Sequence, residues 1–261
     1  MDLGLQGKVI VVSGGGSGIG ESISRGALTE GAKVAVITRM TDAALRFEEW
    51  VQQQQVDCII LPAELGDIGQ CQQAIADVYR HYGQIDGLVN NAGVNDGVGL
   101  EHGSPERFAA SLQQNLVHTY TLAYAALPHL KATAGSIVTI SSKVAVTGQG
   151  GTSAYAAAKG AQLALTREWA AELLPYRIRV NAVLPSEVMT PLYRQWLDTL
   201  GDPEARQRSI EANVPLDHRF TTPEEIAAAV LFLLSPLQSA HTTGQHIYVD
   251  GGYVHLDRVL T

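Results

Sequence analysis

Short runs of β-branched and apolar residues recur along the chain at 8–12, 33–37, 57–63, 85–89, 135–140, 178–183 and 245–250. Brief apolar runs of this kind, bounded by Gly, Asn, Ser or Thr, read as strands buried on both faces. Between them the pattern changes to a helical period. It does so from about Ile19, over 68–81, from Pro105 to about Lys131, around Tyr155 as far as about Leu174, and over 223–234. Residues 184–215 follow neither period. They are polar, aromatic and irregular, and read as a lid of about 185–215 over the carboxyl ends of the strands. Strands alternate with helices, with no linker and no internal repeat. The pattern predicts an α/β fold: one doubly wound domain over 1–261, with a parallel sheet of about seven strands and helices on both faces.

Composition narrows the function classes. The 261 residues are 46% hydrophobic, enough for a sizeable core. A net charge of -8 without a basic run argues against nucleic acid or an anionic membrane as partner. Cys58 and Cys71 lack metal or redox spacing and read as free thiols in a reducing compartment. The start has no basic-then-apolar leader, and no apolar stretch reaches the ~18 residues of a membrane span, so a cytoplasmic location is expected. His218, His241 and His246 show no ligand spacing, and no metal is expected.

The first strand runs into Ser13-Gly14-Gly15-Gly16-Ser17-Gly18-Ile19-Gly20. Gly14 permits a tight turn, Gly18 lets backbone approach a pyrophosphate, and Gly20 allows close helix–strand packing. Ser17 and Ile19 stand at the helix start, whose free N–H groups attract the anion. The second strand ends at Thr38-Arg39, where a dinucleotide fold usually places an acid on the ribose 2′-hydroxyl. No acid stands there. Arg39 offers a planar fork to a 2′-phosphate, favouring NADP, with NAD possible if Arg39 is an ordinary solvated residue. Asn90-Asn91-Ala92-Gly93 ends the fourth strand, to brace backbone near a cofactor or to make a plain turn. Asn115 lies within an apolar helical pattern; periodicity favours a satisfied core amide over a water-holding kink beside the site. Tyr155 and Lys159 are four apart in an Ala-rich run and share a helix face. An ammonium beside a phenol is expected to lower the phenol's pKa from its usual ~10. Ser142, from the end of the fifth strand, can hold a substrate oxygen. The three together suit proton transfer to or from an alcohol or carbonyl.

In this order and at these separations, the motifs resemble the short-chain dehydrogenase/reductase family over nearly the whole chain. The resemblance implies a Rossmann fold and a catalytic set of Asn115, Ser142, Tyr155 and Lys159. Ser142, with Ser141 as the nearby alternative, would orient the reacting oxygen, and Tyr155 would be the general acid/base. Lys159 would bind the nicotinamide ribose and acidify the phenol. Asn115 would hold a water linking Lys159 to solvent. Asn91, Ala92 and Gly93 would line the cofactor, and Val188 and Thr190 would hold its carboxamide. Glu64-Leu65 stands where an Asp and an aliphatic residue commonly meet the adenine, and Pro185-Ser186 replaces the usual Pro-Gly after the sixth strand.

A narrower resemblance joins the segments 91–97, 141–150, 187–194 and 219–223 and the tail from Asp250 to Arg258 to the bacterial L-fucose dehydrogenases within that family. It implies oxidation of an aldose at its anomeric hydroxyl to the lactone, and a homotetramer. Asn95, Asp96, Lys143, Gln149 and Glu187 would be polar substrate contacts beside Ser142 and Tyr155, where an acyl or steroid pocket would be apolar. Two alternatives stand beside the aldose reading: a reductase of 3-oxoacyl or steroid-like carbonyls, and a non-catalytic NADP-binding sensor.

Overall fold

The structure is a computed structural model that describes residues 1–257; Arg258 lies outside them. The seven apolar runs form β1 (Val9–Ser13), β2 (Lys33–Thr38), β3 (Cys58–Pro62), β4 (Gly87–Asn90), β5 (Ser136–Ile140), β6 (Arg179–Pro185) and β7 (His246–Val249). They make one sheet in the order β3-β2-β1-β4-β5-β6-β7, every pair parallel. The expected doubly wound fold is the observed one.

Helices cover both faces, and the strand alternation shows it. Ile10, Val12, Val34 and Val36 pack on Ile23 and Ala27 of α1 (Gly18–Thr29), Phe47 of α2 (Asp42–Gln54), and Ile226 and Val230 of α9 (Pro223–Leu234). Their neighbours Val9, Val11, Ala35 and Ile37 pack the other way, on Cys71, Ile75 and Val78 of α3 (Ile68–Tyr82). Each fully buried Val or Ile contributes roughly 1.5–3 kcal/mol, so the strand ends are a stiff platform for the loops they carry. The winding reverses between β1 and β4. A doubly wound sheet opens its crevice there, at the carboxyl ends.

Three segments depart from the sequence pattern. First, α2 was not signalled, although Thr41 caps it by accepting from the Ala44 N–H at 3.3 Å. Second, residues 105–131 are not one helix. They form α4 (Pro105–Leu112), a π-helical turn (Gln113–Val117) and α5 (His118–Thr133). Asn115 Nδ2 donates to the Ser111 carbonyl and hydroxyl, and Gln162 Nε2 donates to the Asn115 carbonyl at 3.2 Å. Side-chain amides thus take acceptors that a regular helix would use, and the turn widens. Third, the irregular stretch 184–215 holds two helices, α7 (Pro191–Asp198) and α8 (Pro203–Glu211). Thr190 and Asp202 cap them, and Pro191 and Pro203 stand in the first turn. The Thr-Pro and Asp-Pro pairs carried that start signal; the polar composition obscured it.

Candidate active site

Gly14 and Gly18 adopt positive φ, +64° and +54°. A side chain at Gly14 would crowd Ala92 and Asn91, with a Cβ 3.2 Å from the Ala92 Cα; one at Gly18 would meet the Thr190 side chain at 3.3 Å. The turn therefore lies between the end of β4 and the start of α7. Ser17 is the N-cap of α1 but makes no side-chain cap bond, which leaves the first-turn N–H groups and the hydroxyl open to a ligand. Bare backbone, an uncapped helix start and close glycine packing fit a dinucleotide pyrophosphate.

Asn91 acts as a brace. Its Nδ2 donates to the Ser13 and Gly14 carbonyls, while Ser13 Oγ accepts from the Asn91 and Ala92 N–H groups at 3.0 and 3.2 Å. These bonds lock the ends of β1 and β4 together. Sequence reasoning missed Ser13 because a serine at a strand end is unremarkable alone. Thr38 is half-buried, and Arg39 is exposed at the tip of β2. Glu64 is exposed, with its backbone N–H bonded to Gln70 Oε1, and Leu65 packs on the core.

Ser142, Tyr155, Lys159 and Asn115 come from three places. Ser142 follows β5 and accepts from the Val144 N–H. Tyr155 and Lys159 lie one turn apart on α6 (Ser153–Glu172), with Lys159 Nζ 5.5 Å from the Tyr155 ring centre. Asn115 Oδ1 accepts from the Val94 N–H at 2.8 Å. A Cβ placed on Gly93 would lie 3.3 Å from both Asn115 Oδ1 and Lys159 Nζ, so these two flank one small backbone position. The Asn115 amide is satisfied, as periodicity favoured, and it sits in the widened turn beside Lys159.

The two serines separate cleanly. Ser141 is buried, and its hydroxyl donates to the Lys159 carbonyl at 2.9 Å, tying β5 to α6. Ser142 faces the phenol and hydrogen-bonds it, as the spacing suggested.

The expected acidification of Tyr155 by Lys159 is not the balance found. Burial pushes the phenol up to about 12, and the Ser142 hydrogen bond offsets only part of this. Burial also brings Lys159 down to about 7, and its Nζ donates to the Ile140 carbonyl at 2.8 Å. An amine that is half neutral at pH 7 exerts little pull. Desolvation dominates because both groups leave water together.

Of the polar residues expected to face a substrate, Lys143 and Glu187 are joined in a largely buried ion pair. Glu187 also accepts from the Tyr193 hydroxyl at 2.7 Å, and the Tyr253 ring lies 3.8 Å from Lys143 Nζ. Tyr193 was not among the expected contacts, since its α7 was read as irregular. Asp96 has one carboxylate oxygen, Oδ1, that is buried without a partner among the described residues. Its loop lies against the start of α6, where the Ala154 N–H donates to the Val98 carbonyl. Asn95 is exposed and accepts from the Gly97 N–H; Gln149 is exposed on the 148–151 loop. Val188 is buried and bridges Thr221, and Thr190 accepts from the Tyr193 N–H. Ser186 donates to the Asp250 carbonyl at 3.1 Å, so the residue replacing glycine fastens the end of β6 to the end of β7.

His255 is exposed and packs edge-on against Tyr248, ring centres 4.4 Å apart. Among the described residues no group of three His, Cys, Asp or Glu side chains is placed to hold a metal, and no helix is long and apolar enough to cross a membrane.

Known proteins resemble this chain in sequence and fold. A family model described as enoyl-(acyl carrier protein) reductase matches residues 14–254. The L-fucose dehydrogenase of Rattus norvegicus is 35% identical over 247 residues, which is 94% of this chain and 89% of that one. The solved Cj0485 dehydrogenase superposes with a TM-score of 0.94 at 42% identity, covering 100% of this chain and 99% of its own. The L-sorbose reductase of Gluconobacter frateurii, solved with NADPH and L-sorbose, gives 0.91 at 26% identity, with 98% and 100% covered. These matches place the chain in the short-chain dehydrogenase/reductase family of oxidoreductases.

Proposed function

We propose that the protein oxidises an aldose, L-fucose or a near relative, at C1 to the lactone, with NADP as the hydride acceptor and NAD as the alternative. One observation carries the choice of substrate class: the buried, unpartnered carboxylate oxygen of Asp96, beside the N-terminus of the helix that bears Tyr155. A buried anionic acceptor costs several kcal/mol unless a donor meets it, and a sugar hydroxyl is such a donor. An acyl chain or steroid would leave it bare. The Rattus norvegicus relative acts on L-fucose by its name, which supports the same reading. The family model's description favours an acyl substrate and supplies the second reading.

Ser142 holds the anomeric oxygen, and Tyr155 takes its proton as the C1 hydrogen departs. Bound nicotinamide supplies the hydride acceptor. Lys159 holds the ribose beside Tyr155, and Asn115 shapes the space next to Lys159. Residues 185–215 form the lid, with Thr190 and the Val188 backbone at its root and the Tyr193–Glu187–Lys143 chain joining it to the loop after β5. The exposed, stacked Tyr120 and Tyr124 on α5 give apolar surface for assembly into a homotetramer, and the enzyme works in the cytosol.

A panel of 6-deoxy and ordinary aldoses, run with both cofactors against 3-oxoacyl and steroid substrates, tests this. Turnover confined to aldoses supports it; faster reduction of an acyl or steroid carbonyl overturns it. The cofactor has its own test. Thr38→Asp places a carboxylate where a 2′-phosphate would lie, and is expected to move the kcat/KM ratio toward NAD by about tenfold or more, since close like charges cost at least ~1.4 kcal/mol. An unchanged ratio would show that this strand end does not read the phosphate.

A further inference from the structure

Behind the Asn115–Lys159 pair, the helices stay polar for another turn. Asn115, His118 and Thr119 share a face by their i, i+3, i+4 spacing, and Lys159, Gln162 and Thr166 form the matching stripe on α6. All six are buried. Gln162 Nε2 donates to Thr119 Oγ1 at 3.2 Å, and Asn90 Nδ2 donates to the Thr119 carbonyl at 3.4 Å. Both amides are thus anchored on Thr119 by their nitrogens. Their oxygens, Gln162 Oε1 and Asn90 Oδ1, are buried with no partner among the described residues, and so are both ring nitrogens of His118 next door. Native interiors rarely leave one such atom unsatisfied, and four around a single residue is a concentration that calls for a bridging group. The chemistry is complementary: two carbonyl acceptors, and an imidazole bringing one donor and one acceptor. A buried water with three partners of this kind is the usual solution.

We propose that His118 is a positioning residue that, with Gln162 and Asn90, holds a buried water on the inner side of Lys159 and so supports the ammonium against which Tyr155 works. The proposal rests on the assignment of Tyr155 and Lys159 made above. It moves no proton and needs no co-reactant; it adds hydrogen bonding beside an amine that donates to the Ile140 carbonyl. The groups facing His118 are few. The π turn and β4 bring only uncharged residues, and α3 packs on α5 through Cys71, Ile75 and Val78, with Cys71 kept a thiol by burial. From α6 comes Lys159. Burial first, and the charge of Lys159 second, bring His118 down to about 4, so the ring is neutral throughout the working range.

Two variants and one structure test this. Without the water, the ammonium loses support and the phenol becomes harder to ionise. His118→Leu is expected to move the acid limb of the kcat/KM profile for oxidation up by about one pH unit, a roughly tenfold loss below the limb. The KM for cofactor should stay within about twofold, since the variant removes no group that would touch the cofactor. His118→Gln, which keeps a donor and an acceptor, should restore the profile. An unshifted limb in His118→Leu overturns the proposal. So does a loss equal at every pH and unrelieved by His118→Gln, which would mean packing alone. Should His118→Leu fail to fold, a high-resolution crystal structure of the unaltered protein decides. Ordered water within hydrogen-bond distance of His118 and Gln162 supports the proposal, and a dry gap overturns it. Tyr155→Phe, run alongside, separates the two layers: if it stays active the catalytic assignment falls, whereas if it is dead and His118→Leu is normal, only the role of His118 falls.

Discussion

Tyr155→Phe is expected to lower kcat by roughly 10²–10⁴-fold, the range over which a positioned acid or base contributes to rate. The substitution deletes one oxygen. The ring stays, so the face it turns to Lys159, 5.5 Å from ring centre to Nζ, is unchanged and binding of the cofactor should be nearly intact. Fluorescence titration with the reduced cofactor measures the binding; steady-state rates with the best aldose measure the loss. The pH profile gives a second check. In the ligand-free protein the phenol stands at about 12, so almost all of it is protonated at pH 7 and oxidation must begin from the minority form. The parent rate should therefore rise with pH, while the residual rate of the variant, having no phenol to ionise, should be nearly flat. Turnover within tenfold of the parent would remove Tyr155 from the chemistry, and with it the proton-transfer scheme built on Ser142.

Much of this frame could be read from the sequence, because its causes are local. Seven β-branched runs with helical stretches between most of them point to one layer arrangement, and the glycines of 14–20 mark the turn between β1 and α1. Tyr155, Lys159 and Ser142 were legible because helix spacing and a strand end fix where they point. What stayed hidden depends on partners far along the chain. Lys143 and Glu187 are 44 residues apart, and nothing in either neighbourhood says that they neutralise each other. The π turn arises because Gln162, on another helix, bonds the Asn115 carbonyl. The Tyr155 pKa was misjudged for a related reason: sequence spacing gives the distance to the ammonium, whereas burial, the larger influence, is set by everything packed around α6. His118 too was legible in the sequence. Polar residues repeating at helical spacing on the buried faces of two helices are a signal in themselves.

Lys159→Met should cost the enzyme both cofactor affinity and turnover and yet make the protein more stable at neutral pH. The argument is one of linkage. An unfolded chain holds a lysine of pKa ~10.4, whereas burial in the folded protein brings Lys159 down to about 7. Below pH 7 both states carry the charge, and the folded state bears its full burial penalty. Between pH 7 and ~10.4 the unfolded state binds more protons than the folded one, so stability rises with pH across that window and the penalty is relieved. At ~1.4 kcal/mol per unit, the relief is roughly 5 kcal/mol as an upper bound. The Met variant never pays that penalty; it leaves the Ile140 carbonyl without its donor, a loss of ~1–3 kcal/mol that does not vary with pH. The variant should thus melt several degrees above the parent at pH 7, at roughly 2–4 °C per kcal/mol for a chain of this size. The advantage should shrink, and then reverse, toward pH 10. His118 stays clear of the comparison, because its own titration, at about 4 in the folded protein and ~6.5 when unfolded, lies below the window. Thermal melts of both proteins at pH 7 and 9.5 make the check. A Met variant less stable than the parent by the same margin at both values would mean that Lys159 is comfortably solvated where it stands, and that the site holds no strained amine for catalysis to draw on.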